Sequence, residues 1–246
     1  SKGDQWDLTA LDVESRFVVS MVIGKRTRDT TRQVVKDFAD RTGKVPPALI
    51  TTDDCNTYAD LLLDQYGETV VPERTDKPGR PRKPFKQWPA GSVYATVNKT
   101  YAKGKVAAVH RKIVFGTEED LARVLDESST SREINTSFVE RQNGTDRSYN
   151  ARKARKTHQF SKDIFVHLAV SWWVMFCYNF HFANRGIRQR QTDGSVLNRT
   201  PAMAAGLERH PLTVTEILTT QVVGFCPNKN KTRAYLGYHP NPGRAP

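Results

Sequence analysis

Ala48-Leu49-Ile50-Thr51-Thr52-Asp53-Asp54 leads into a segment that carries Tyr58, Leu61, Leu62 and Gln65 and ends at Gly67. Ala48–Thr52 is short and apolar, which predicts a strand. It runs straight into two acids, and the spacing that follows is helical. Strand, acid and helix in that order make one α/β unit. An acid at the C-terminal end of a strand stands where α/β sheets gather their sites. Acids end strands often, so Asp53 gains meaning only beside a partner.

Working outward, Gln5–Leu11 and Phe17–Val22 are β-type runs around the polar turn Asp12-Val13-Glu14-Ser15, and they predict a hairpin. Residues 29–42 carry Val34, Val35, Phe38 and Ala39 at helical spacing, with Gly43 as a stop and Pro46-Pro47 breaking the chain. Downstream, Pro72, Pro78, Pro81, Pro84 and Pro89 interrupt a stretch holding Arg74, Lys77, Arg80, Arg82, Lys83 and Lys86. Proline at that density excludes helix and central strand. The stretch reads as an extended basic loop, either a solvated linker or a DNA-contacting arm. Val93–Tyr101 and Val106–Phe115, joined by Lys103-Gly104, predict a second hairpin. Thr117-Glu118-Glu119-Asp120 resembles a capping box before a short helix with Leu121, Val124 and Leu125. A long apolar helix capped near Ser161 follows, then a short helix opened by Thr200-Pro201 and closed by Gly206. Residues 227–246, rich in Pro, Asn, Lys and Gly, predict a disordered tail. The expected architecture is α/β. A mixed sheet is flanked by helices over 1–226, with residues 72–116 as a basic-loop and hairpin insertion.

The chain has 246 residues, a formal net charge of +12, a pI near 9.7 and a mean hydropathy of −0.61. That length buries a substantial core, and that charge favours a polyanionic partner, nucleic acid or an anionic membrane surface. Ile164–Phe182 is apolar but barely long enough to span a bilayer, and it carries His167, Asn179 and His181. It reads as a core helix with Trp172, Trp173, Phe176 and Phe180 on one stripe, so no membrane partner is expected. Cys55, Cys177 and Cys226 are far apart and odd in number, with no zinc-type spacing. That suits a reducing cytoplasm rather than a disulfide scaffold. The first residue is serine and no signal peptide is visible, so a fragment or processed product is expected.

Asn135-Thr136-Ser137-Phe138-Val139-Glu140-Arg141-Gln142-Asn143-Gly144 supplies the partner for Asp53. It places Glu140 in the first turns of a helix, with Arg147 two turns on along the same face. Arg152, Lys153, Arg155, Lys156, His158 and Lys162 follow. Segments 74–86 and 141–162 hold thirteen Lys and Arg against two acids, Asp76 and Asp146. Carboxylates beside a dense positive surface suit a metal-dependent enzyme acting on phosphodiesters. The bland alternative is a solvated amphipathic helix. An Asp at a strand end with a Glu on a later helix is the ribonuclease H-like arrangement, and its chemistry needs carboxylates converging on two metals about 4 Å apart.

Further blocks stand in order along the chain. They are Trp6 with Ala10-Leu11-Asp12-Val13-Glu14-Ser15-Arg16, Gly24-Lys25-Arg26-Thr27, Thr51-Thr52-Asp53 and the Glu140 block, then Phe160-Ser161-Lys162, Tyr178-Asn179-Phe180 and Thr200-Pro201-Ala202-Met203-Ala204-Ala205-Gly206. From about Trp6 to Leu207 the chain resembles the DDE transposases of the bacterial insertion-sequence-one family. The resemblance implies a ribonuclease H-like catalytic domain that cleaves DNA and transfers strands. It implies Mg²⁺ or Mn²⁺ as cofactor, double-stranded DNA as partner, a homo-oligomer on that DNA and a bacterial cytoplasmic, nucleoid-associated setting. Asp53 carries over as the second acid and Glu140 as the third, both metal ligands. Arg147, Arg152, Lys153, Arg155, Lys156 and Lys162, with Arg80, Arg82 and Lys83 of the basic loop, are the expected DNA contacts. Asp54 departs from the pattern, where glycine is usual, and reads as a helix-cap acid or a further metal neighbour.

The first acid is expected upstream of Ser1. A ribonuclease H-like sheet opens with three antiparallel strands, and only two are visible here. In the family the block resembling Trp6–Arg16 is the second strand, and the first acid precedes it in an Asp-Glu-x-Trp strand, faintly echoed by Asp4-Gln5-Trp6. The family's amino-terminal DNA-binding region would then also precede this chain. Asp12 is the alternative first acid. A non-catalytic DNA-binding remnant and a stand-alone ribonuclease H-like nuclease are the rival functions.

Overall fold

β1 (Trp6–Leu11) and β2 (Val18–Gly24) form the expected antiparallel hairpin, with Leu8 opposite Val22. Its turn is closed by local polar chemistry. Asp12 Oδ2 accepts from the Ser15 amide at 3.0 Å and from the Ser15 hydroxyl, and Arg16 takes a positive φ of 63°. A short acidic side chain folding back on the amide three residues on is a turn device. α1 (Arg28–Arg41) follows, with Thr27 accepting from the Thr30 amide and Asp29 in the first turn. These elements belong to a computed structural model of the protein that describes residues 5–73, 82–154 and 158–219. Arg80, Arg155, Lys156, Cys226 and the predicted tail lie outside the described residues. The chain divides into two units, Ser1–Met175 and Phe176–Pro246.

β3 (Leu49–Asp53) and α2 (Thr57–Tyr66) are the strand and helix expected around Asp53. β4 (Glu68–Val70) pairs antiparallel with β5 (Phe85–Gln87), a short ribbon that the prolines hid in the sequence. β6 (Val93–Ala102) and β7 (Lys105–Phe115) are the second hairpin. It is not a simple insertion. β6 runs parallel to β3, with Asp53 opposite Val97, and lies between β3 and β7. The reason is visible in Val93–Val97, where five successive residues are buried. A strand covered on both faces reads as a continuous apolar run, not an alternating one.

One face of this sheet packs Ile50 and Tyr94 against Val34, Val35 and Ala39 of α1 and Leu61 and Leu62 of α2, with Leu8 and Val22 of the first hairpin against the same cluster. The other face packs Ala95 and Val97 with Ile134, Leu49 and Leu121. Leu121 lies on α3 (Glu118–Glu127), whose cap, Thr117, accepts from the Asp120 amide as expected. Gly116, at φ 96°, lets β7 leave the sheet, because a Cβ there would sit 2.7 Å from the Ser92 carbonyl. Among the described residues, no strand pairs with the edge of β3 opposite β6. α4 (Ser137–Tyr149) then carries Glu140 in its first turn and continues into a 3-10 turn, Ala151–Lys153.

α5 (Ile164–Phe180) is the expected long apolar helix, turned differently at Trp173. Its cap, expected near Ser161, is Asp163, which accepts from the Phe165 and Val166 amides. Of the expected aromatic stripe, Phe180 is buried, Trp172 and Phe176 are half-buried and Trp173 is exposed, while Ser171, Val174, Met175, Cys177, Tyr178 and Asn179 are also buried. Ile164, Phe165 and Val166 at the start of the helix are exposed as well. An all-apolar helix has no polar side to mark its outward face, so its orientation was not readable from sequence. By length and composition alone the stretch Ile164–Ile187 could cross a membrane, and 39% of its most apolar window is buried.

In the second unit, β8 (Gln189–Arg190) and β9 (Val196–Leu197) form a small ribbon. α6 (Pro201–Ala204) starts where Thr200 accepts from the Met203 amide, as Thr-Pro predicted, and α7 (Val214–Thr219) follows.

Candidate active site

Parallel pairing with β6 ends β3 at Asp53, so its carboxylate leaves the sheet at the strand's C-terminal end. Asp53 and Glu140 line one open cleft of about 400 Å³ with Arg26, Asp54, Cys55, Val97, Asn98, Lys99, Tyr101 and Thr136. The two acids expected to converge therefore share a cleft. Each meets a cation there. Arg26 Nη2 lies 3.8 Å from Asp53 Oδ2, and Lys99 Nζ lies 2.5 Å from Glu140 Oε1. The Thr136 hydroxyl, at the start of α4, donates to the same Glu140 oxygen at 2.6 Å. Partial burial pushes the Glu140 carboxyl upward, but the Lys99 and Thr136 hydrogen bonds and the Lys99 charge outweigh it, and the net shift is downward. Glu140 is held ionised.

Two buried tyrosines, Tyr58 and Tyr94, lie close enough to Asp53 to feel its charge, outside the lining of the cleft. The Thr52 and Tyr94 hydroxyls lie 2.8 Å apart. Burial raises the Tyr58 and Tyr94 phenols to about 12, with the negative charge of Asp53 adding to both. Neither tyrosine ionises at neutral pH, so the cleft's negative charge stays on the carboxylates. Asn98 Nδ2 donates to Asp54 at 3.1 Å, so Asp54 joins the cleft wall and does not cap α2 with its side chain. The start of α4 is anchored from the first hairpin, where the Arg16 guanidinium lies 3.8 Å from the Phe138 ring centroid.

Asp12, the alternative first acid, closes its turn through Ser15 and is not among the residues lining the cleft. Lys153 requires a correction. Expected as a DNA contact, it turns inward, with Nζ 2.5 Å from Asp7 and 2.8 Å from Asp146. Its side chain is 8% exposed, against 19% for Asp7 and 13% for Asp146. A buried ammonium between two carboxylates is not offered to phosphates. Arg147, Lys162, Arg82 and Lys83 are exposed, and Arg152 is half-buried.

Sequence reading missed Lys99, Arg26 and Asn98. The β3–β6 register reveals Asn98 and Lys99, one and two residues past the partner of Asp53, whereas Arg26 comes from the segment after β2. Among the described residues, no group of three or more His, Cys, Asp or Glu side chains is placed to hold a metal. Comparison with family models, curated proteins and solved structures gave no significant match.

Proposed function

We propose that the chain is the catalytic domain of a DDE-type transposase, ribonuclease H-like in fold, which cleaves DNA and transfers strands with a divalent metal. The observation that carries this reading is the shared cleft. Asp53 at the end of β3 and Glu140 at the start of α4, far apart in sequence, line the same opening. The order of hairpin, helix, acid-bearing strand, helix, parallel strand and acid-bearing helix supports the fold assignment.

Carboxylate oxygens are the donors that Mg²⁺ and Mn²⁺ take, so Asp53 and Glu140 would hold the ion. Bound there, the metal would supply charge stabilisation at the phosphate and activation of the attacking oxygen. Two acids fit that role in part, because the chemistry calls for a third. The unpaired edge of β3 is where another strand could bring one. Lys99 and Arg26 are the cations that now neighbour these carboxylates, and a bound divalent ion would compete with them. Arg147, Arg152, Lys162, Arg82 and Lys83 would hold the phosphates of duplex DNA, with a homo-oligomer assembling on it.

A second reading, a DNA-binding remnant without catalysis, is favoured by the absence of a three-carboxylate group among the described residues. Incubation with supercoiled plasmid and Mg²⁺ or Mn²⁺ separates the two. Nicking that disappears in Asp53→Asn and Glu140→Gln supports the enzyme. No nicking, but Mn²⁺ binding that is lost in Asp53→Asn and Glu140→Gln, marks a catalytic domain short of its third acid, whereas salt-dependent DNA binding with neither nicking nor Mn²⁺ binding supports the remnant. If about six cations neutralise phosphates, log K should fall with log salt at a slope of about −5.

A further inference from the structure

We propose that the β6–β7 hairpin holds an unpaired nucleobase at the mouth of the acid cleft, stacked on Tyr101. This rests on the reading of the cleft as a DNA site and names the substrate feature it takes. Alternate residues of a strand share a face, and directly paired residues share it across the ladder. Val97, Lys99 and Tyr101 line the cleft, and their partners across the hairpin are Arg111, Val109 and Val106. Val106, Val109 and Tyr101 are all exposed, and the Tyr101 residue is 66% so. The register shifts between Thr100 and Tyr101, and an irregularity of that kind re-aims the side chain beside it. The tight Lys103-Gly104 turn, with both residues at positive φ, closes the arm just beyond.

Phosphates alone do not account for this surface. They need cations, which the arm has: Asn98–Phe115 contains five Lys or Arg and no Asp or Glu. Lys99 and Arg111 are engaged with Glu140 and Glu133, whereas Lys103, in the turn just beyond Tyr101, forms no ion pair among the described residues. An exposed ring flanked by two valines on the cleft-facing side adds a flat apolar platform. Aromatic rings beside unpaired cations are how proteins hold single strands, since every base has a face to stack, whatever the sequence. A fully paired duplex hides those faces. The surface therefore suits DNA that is unpaired next to the phosphate in the cleft, as at a frayed or nicked end.

The test uses the full chain in chelator, so that no cleavage intervenes. Binding is measured to a blunt duplex and to a duplex with a short unpaired tail, matched for phosphate number. 2-Aminopurine at the first unpaired position reports stacking. The tailed duplex should bind about five- to a hundredfold more tightly, and the probe's fluorescence should be quenched. Tyr101→Ala should abolish the preference and the quenching, whereas Tyr101→Phe should retain them. Equal binding of the two DNAs, or a preference that survives Tyr101→Ala, overturns the stacking role and leaves the DNA reading intact. Failure of the unaltered protein to bind either DNA overturns both readings, and is seen before any variant is compared.

Discussion

Helix α4 carries two carboxylate–lysine clusters less than two turns apart, and they are opposites. At its start Glu140, 53% exposed, meets Lys99 in an open cleft. Further on, Asp146 meets Lys153 where both side chains are nearly covered, and Asp7 reaches the same ammonium from β1. The first carboxyl is shifted downward. The second is shifted upward, because burial outweighs its hydrogen bond to Lys153 and Asp7 adds repulsion. The pairs are chemically alike, but solvent decides what each can do. An exposed pair exchanges partners at little cost and leaves its carboxylate available to a ligand. A buried one fixes the position of the helix and cannot be opened without stranding a charge.

The largest effect should come from breaking the buried cluster. Lys153→Ala leaves Asp7 and Asp146 covered without a cation, and denaturant unfolding should show a loss of about 3–5 kcal/mol. A loss below about 1 kcal/mol would mean the cluster behaves as a surface pair. Next is the cation in the cleft. Lys99→Gln removes a positive charge that competes with a metal at Glu140, so Mn²⁺ should bind roughly fivefold more tightly, from ~1 kcal/mol between unit charges about 4 Å apart in water. Titration calorimetry reads this directly, and weaker binding would make Lys99 a support rather than a competitor. Smaller still is the stability change for Glu140→Gln, expected within about 1 kcal/mol because its pair is exposed.

The smallest effect is one of sign. Asp146 has a folded-state pKa above its unfolded value, so its contribution is present at low pH and lost as pH rises through the folded value. Glu140 is the reverse, contributing above its unfolded pKa and losing that as pH falls through the folded one. Unfolding curves between about pH 3 and 6 should therefore show Asp146→Asn losing ground to the unaltered protein on acidification, and Glu140→Gln gaining it. Slopes of the same sign would erase the contrast.

The same contrast explains what was legible in the sequence. The Asp12 turn and the caps at Thr117 and Thr200 could be read because each is settled within three residues by its own side chain. Asp53 at a strand end and Glu140 in a first turn were readable for the same reason. Their partners were not, because Lys99 lies 41 residues from Glu140 and meets it only through the parallel β3–β6 pairing. Lys153 was misread because it sits in a basic run, where solvation is the ordinary expectation, while its second carboxylate comes from Asp7 on the first strand. β6 was read as a strand but placed in an insertion, because its parallel pairing with β3 joins segments distant in sequence and leaves no local mark.

Mn²⁺ binding followed by electron paramagnetic resonance tests the central claim most directly, because it reads the cleft without requiring catalysis. The account predicts that the unaltered chain binds Mn²⁺, that Asp53→Asn and Glu140→Gln each weaken binding at least about tenfold, and that Asp146→Asn leaves it unchanged. Binding unaffected by Asp53→Asn and Glu140→Gln, or lost in Asp146→Asn alone, would contradict it.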